Sequence, residues 1–215
     1  ELEIPRSKVD LDLMKNSRSS IYRSMENSFS KGMNLNAVYI GNFGTEYKDK
    51  GSNVNYSSTS NGTLISAMKN FDKFSLGGGF GYQKSKVKYK REFNGIEEKI
   101  DSYQFILNGK YNFNENIDLM SVLTYSANKH KFKNQDRRVF MQDAQYNSTI
   151  WDFDTRLGYK YRGEKGYLKP YVGVGITSVH EGEIAKINAG KSSETSVNGV
   201  LGVYGQIELG KFDLF

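Results

Sequence analysis

Between Thr149 and Ser178 the side chains alternate in character with a period of two. Trp151, Phe153, Leu157, Tyr159 and Tyr161 share one parity, and Asp152, Asp154, Arg156, Gly158 and Lys160 the other. After the turn Arg162-Gly163-Glu164-Lys165-Gly166 the pattern resumes. Leu168, Pro170, Val172, Val174 and Ile176 lie on one face, with Lys169, Tyr171, Gly173, Gly175 and Thr177 opposite. Successive side chains of a strand point to opposite faces, so each run has an apolar face and a charged or small one. A sandwich gives this pattern with its polar face in water. A membrane barrel gives it with its apolar face on lipid, its polar face on a lumen and aromatics at the edges of the lipid band.

Composition narrows the choice. The 215 residues suffice for one barrel or one large domain. Only 37 % are hydrophobic, mean hydropathy is −0.63, and no apolar run approaches the length of a membrane helix. That excludes a helical membrane protein but not a barrel, in which only alternate positions are apolar. There are 22 Gly and 15 Tyr against 2 Pro, a balance that favours strands. With no Cys, disulfide, thiol and cysteine–zinc chemistry are excluded. The net charge of +6 points to an anionic partner.

The first segment differs from the rest. Ser7 and Asp10 have the spacing of a helix N-cap and its reciprocal acid, just after Pro5. Leu11, Met14, Ile21, Met25 and Phe29 recur at helical steps, one gap holding Arg18, and the run ends near Lys31-Gly32. A helix from Lys8 to Lys31 would be ~36 Å long, comparable with the ~30 Å hydrocarbon core of a bilayer. Its Ser and Arg content suits a polar pore rather than lipid. Residues 1–32 are therefore expected to be a linker and lumenal plug helix, and 33–215 the barrel.

From Met33 onward the sequence predicts only strands. Phe74, Leu76, Gly78, Phe80 and Tyr82 alternate with Ser75, Gly77, Gly79 and Gly81. Tyr103, Phe105, Leu107, Gly109, Tyr111 and Phe113 alternate with Gln104, Asn108 and Lys110. The links near Asn70, Glu115, Glu164 and Lys211 read as short, and those near Lys50, Asn94, Asp136 and Ala189 as long. Short turns at one end and long loops at the other are the mark of an outer-membrane barrel; a Greek-key sandwich has no reason to show it. The expected fold is all-β, an antiparallel up-and-down transmembrane β-barrel with an N-terminal α-helix in its lumen. Alternation breaks at Gly210-Lys211, so Phe212 to Phe215 reads as the start of another strand. About eight strands are present, and a barrel completed from here would need on the order of 80 further residues.

A pore-length helix leading into such strands resembles the translocator domain of type V autotransporters, outer-membrane proteins that display a passenger on the cell surface. Phe71 to Lys88 is similar to that family's glycine-rich strand, and Leu168-Lys169-Pro170-Tyr171-Val172-Gly173-Val174-Gly175 to its recurring strand opening. The resemblance implies twelve strands, an upstream passenger in the same chain, insertion by the barrel-assembly machinery and location in the outer membrane of a Gram-negative-type bacterium. It also implies that self-cleavage would need an Asn-Asn pair in the helix, where this chain has Asn16-Ser17 and Asn27-Ser28. A stand-alone eight-stranded barrel serving as an adhesin or structural protein is the alternative reading.

No catalytic, cofactor-binding or metal-binding residues are expected. His130 and His180 read as solvated histidines near outer strand ends; His130 with Asp136 could be imagined as a rim hydrolase site, but the spacing supports no more than that. Lys110, Asp152, Asp154, Arg156, Lys160 and Lys169 are expected to form a lumenal ion-pair network that holds the helix. The run Gly77-Gly78-Gly79 is expected to let the helix approach closely. On the lipid-facing parity, Lys84, Lys86, Lys88, Lys99, Lys129, Lys131 and Lys133 would lie above the outer aromatic girdle. Their partner there would be outer-membrane lipid and lipopolysaccharide phosphate. Nucleic acid is disfavoured for want of an aromatic platform beside the charge.

Overall fold

The computed structural model describes residues 6–26, 32–47, 54–91, 94–134, 144–184, 190–209 and 212–214. Helix α1 (Arg6–Glu26) precedes β1 (Gly32–Tyr47), β2 (Val54–Asn70), β3 (Phe74–Arg91), β4 (Ile96–Asn112) and β5 (Ile117–Asn134). Then follow β6 (Gln145–Tyr159), β7 (Tyr161–Gly163), β8 (Gly166–Glu181), β9 (Ser192–Leu209) and β10 (Phe212–Leu214). The strands form one antiparallel sheet in chain order, β7 continuing β6 beyond Lys160 so that both pair with β8. Eight long ribbons thus curl around α1 as an open half-barrel. Among the described residues β1 pairs with β2 alone, so the closed eight-stranded barrel of the alternative reading is not formed. β10 turns back along β9, Phe212 opposite Leu209, as the parity break at Gly210-Lys211 requires. Those two residues lie outside the described ones.

The sheet is inside-out relative to a soluble domain. Met33, Leu35 and Leu201 on the convex face are 68 %, 76 % and 86 % exposed, while Asp152, Asp154 and Lys169 on the concave face are fully buried. A continuous exposed apolar surface of this kind belongs against lipid. Aromatics mark both edges. Tyr82 and Tyr103 lie 5.0 Å apart, and Tyr125 and Trp151 4.7 Å, at the outer edge. Phe71 with Phe74 at 4.4 Å, Tyr111 with Phe113 at 5.1 Å and Tyr159 with Tyr161 at 4.5 Å mark the inner edge. From Trp151 to Tyr161 the ribbon rises about 34 Å. At the usual barrel tilt that is a height of about 24–28 Å, matching the ~25 Å apolar band.

Three expectations change. Ser7 is not a cap, because the helix already includes Arg6. The predicted end near Lys31, with Phe29, lies outside the described residues. The link near Asn94 is not long: β3 runs to Arg91 and β4 starts at Ile96, with Gly95 at φ 92° in the turn between them. Strands persist above the membrane there because Val87, Tyr89, Ile96 and Ile100 turn inward. They pack with Val9, Tyr56, Phe132, Ala144, Tyr146 and Ile184 into a dry core at the outer mouth. The glycines of β3 also serve another purpose. A Cβ on Gly77 would meet Ala67 O at 2.6 Å and the Asn108 side chain at 2.9 Å, so the close approach is to flanking strands rather than to the helix.

Candidate functional site

Helix α1 descends through the concave side with its N-terminal end at the outer mouth, and three layers of polar contacts hold it. In the outer layer Asp10 meets His130 on β5, whose Nε2 is 3.2 Å from Asp10 Oδ1 and 2.9 Å from Ser148 Oγ. The other ring nitrogen, Nδ1, is 2.5 Å from Glu98 Oε1. Glu98 also accepts from Tyr89 at 2.5 Å and from Tyr146 at 3.1 Å, and the His130 ring stacks on Tyr146 at 4.1 Å. Burial drives the imidazole towards neutrality, but Asp10 and Glu98 outweigh it and lift its pKa to about 10. The two carboxylates thus favour the imidazolium form of His130.

In the middle layer Arg18 donates from Nε and Nη2 to the two carboxylate oxygens of Asp152, the Nε bond being 3.0 Å, and lies 3.7 Å from Asp154. Thr177 on β8 donates to Asp152 at 2.6 Å, and Ser17 to Gln83 on β3 at 3.4 Å. Met14 packs with Ile150 and Val179 just above.

In the inner layer Tyr22 donates to the carbonyl of Asp154 at 3.0 Å and carries the Arg156 guanidinium over its ring at 3.7 Å. Arg156 donates to Asp154 at 2.9 Å and to Tyr204 at 2.8 Å. Glu26 pairs with Lys169, which also lies 2.6 Å from Asp118; Lys110 reaches Asp118 at 3.6 Å. Ile21, Tyr22 and Met25 pack on Leu64, Met68, Ile106, Met120 and Val122. Glycine on the opposing strand makes room for the long side chains. A Cβ on Gly173 would meet Arg156 Cγ at 2.9 Å, and one on Gly158 would collide with Lys169.

The lumenal residues singled out in the sequence thus fall into two groups. Asp152, Asp154 and Arg156 gather around Arg18 and Tyr22, and Lys110 and Lys169 around Asp118 and Glu26. Lys160 lies over the Tyr167 ring at 4.3 Å and interacts electrostatically with Glu26, Lys110 and Lys169 of the second group. Sequence reasoning missed Arg18, Glu26 and Asp118 as members, although Asp118 stands on the polar parity of β5. It also misread the outer layer, because Asp10 looked like the reciprocal acid of a capping box and His130 like a solvated residue. His130 is fully buried, and the inward parity of Ser126, Asn128 and His130 was the signal. His180 is exposed; Asp136 lies outside the described residues. Ser148, His130 and Glu98 stand in the order of a nucleophile, base and acid. Both Ser148 and His130 are buried, and the imidazole is held between the Asp10 and Glu98 carboxylates, which favour its charged form.

On the convex face, above Tyr82 and Tyr103, the seven lysines occupy adjacent ribbons. Lys84, Asp101 and Lys129 are register partners across β3, β4 and β5. Lys86, Lys99 and Lys131 form the next row, and Lys88, Glu97 and Lys133 the third. Lys86 reaches Glu97 at 2.9 Å.

The chain matches the model of the family described as Autotransporter beta-domain over residues 37–213. Its fold is similar to that of the translocator domain of autotransporter NalP from Neisseria meningitidis. The TM-score is 0.81 at 13 % identity, covering 96 % of this chain and 73 % of that one. No curated protein sequence matches the chain.

Proposed function

From the premise that this chain belongs to the autotransporter β-domain family, and is the outer-membrane translocator of an upstream passenger, we propose that it works as a permanent anchor without catalysis of its own. The observation that carries this reading is the Arg18–Asp152 pair, buried halfway down the lumen. Breaking a buried pair by removing one partner costs about 3–5 kcal/mol. A helix held at three depths stays in the pore after secretion, and its outward N-terminal end keeps the passenger tethered outside. The helix offers Asn16-Ser17 where self-cleavage would need two asparagines, while Asn27-Ser28 lies outside the described residues. Insertion by the barrel-assembly machinery and contact with outer-membrane lipid and lipopolysaccharide belong to the same reading. The test is the fate of the passenger in cells that express the full-length precursor. Immunoblots should find it on the same polypeptide as the barrel and exposed to added protease. Free passenger in the medium, with its C-terminus mapping between residues 6 and 26, would overturn the permanent tether.

A further inference from the structure

The seven outward lysines of β3, β4 and β5 form a grid three strands wide. Seven lysines against two carboxylates leave five positive charges in excess over nine positions on β3, β4 and β5. Among the described residues the register partners of the grid on the flanking ribbons are uncharged: Ser57, Thr59 and Asn61 on β2, Gln145 and Asn147 on β6. In the central row Lys86, Lys99 and Lys131 stand directly opposite one another, and like charges so placed on antiparallel strands repel. Among the described residues Lys99 and Lys131 have no carboxylate within ion-pairing distance. Such a row is relieved by an anion that several ammonium groups share.

We propose that this grid binds the phosphorylated sugar headgroup of an outer-leaflet glycolipid. The proposal rests on the translocator reading for the orientation of the barrel. A lipid, rather than a soluble polyanion, is the occupant because of what lies beneath. The first row is one outward position beyond Tyr82 and Tyr103, and below these Phe80, Phe105 and Leu107 continue the exposed apolar face as a wall for acyl chains. Lysine stems lie along such a surface while their ammonium groups reach the phosphate level. With strands about 4.8 Å apart and outward residues about 6.8 Å apart along each, the grid spans about 10 by 14 Å. That is wide enough for more than one phosphate of a single headgroup.

The test titrates the full-length protein in detergent, by native mass spectrometry, with bisphosphorylated lipid A, its dephosphorylated form and inorganic polyphosphate. The triple variant K86Q/K99Q/K131Q should bind bisphosphorylated lipid A on the order of a hundredfold more weakly than the parent. The charge-matched control K69Q/K73Q/K165Q, at the inner end of the barrel, should bind as the parent does. Heat-modifiable mobility and passenger display should be unchanged in the triple variant, so that loss of lipid is separable from failure of translocation. Unchanged lipid A binding by the triple variant, or equal binding of the dephosphorylated lipid, would overturn the site and leave the translocator reading intact. Tighter binding of polyphosphate than of lipid A would also overturn it, by assigning the grid to a soluble polyanion.

Discussion

Arg18 on the helix and Asp152 on β6 share two hydrogen bonds across 134 residues of chain, with both side chains buried. The pair joins the plug to the wall, and each partner is costly alone. Arg18→Met should therefore destabilise the seated helix by about 3–5 kcal/mol, because Asp152 is left charged and buried. The double variant Arg18→Met/Asp152→Leu should recover part of that loss. Unfolding followed by heat-modifiable gel mobility reads both, and equal stability of the single variant and the parent would show that the pair does not hold the plug.

The lipid face is tested by charge. Leu157→Arg or Val174→Arg should cost about 2–4 kcal/mol at mid-bilayer and block assembly. Gln206→Arg is the control, since Gln206 lines an open cavity with Arg23, Tyr167 and Tyr204 on the concave side and should accept arginine. Yields of folded barrel in the outer membrane should rank in that order, and the reverse ranking would invert the two faces.

The outer layer should be sensitive to alkali. His130 carries a folded-state pKa of about 10 against an ordinary value of 6.5, so its contribution is complete below about 6.5. It falls as pH rises through about 10, where the imidazolium that bridges Asp10 and Glu98 is lost. Stability of the parent relative to His130→Gln should therefore be greatest near pH 6 and converge above pH ~10. A difference that grows with pH would contradict a charged imidazole between Asp10 and Glu98.

Deleting residues 6–26 should raise single-channel conductance of the purified full-length barrel in planar bilayers. The helix fills the concave side from Asp10 at the outer mouth to Glu26 at the inner end. Unchanged conductance would place the helix outside the conducting path.

The faces of the strands were legible because a period of two leaves no freedom once one parity is apolar. Trp151 and Leu157 against Asp152 and Arg156 needed nothing from the rest of the fold. Partners were less legible. Glu26 meets Lys169 and Asp10 meets His130 through the depth at which the helix sits, and periodicity does not encode depth. The hairpin between β3 and β4 was hidden for another reason. The stretch from Arg91 to Glu98 has loop composition, but Ile96 and Glu98 turn inward at the outer mouth, where Val87, Tyr89 and Ile100 also pack.

A passenger that grips a surface transmits tension down the chain to Arg6. The bonds of the three layers run sideways from the helix to the wall, so a pull along its axis loads them in shear, together, rather than unzipping them one after another. Arg18–Asp152, Glu26–Lys169 and Asp10–His130 must then yield almost at once for the anchor to slip. The same contacts that close the pore set the force at which a tethered cell would lose its hold.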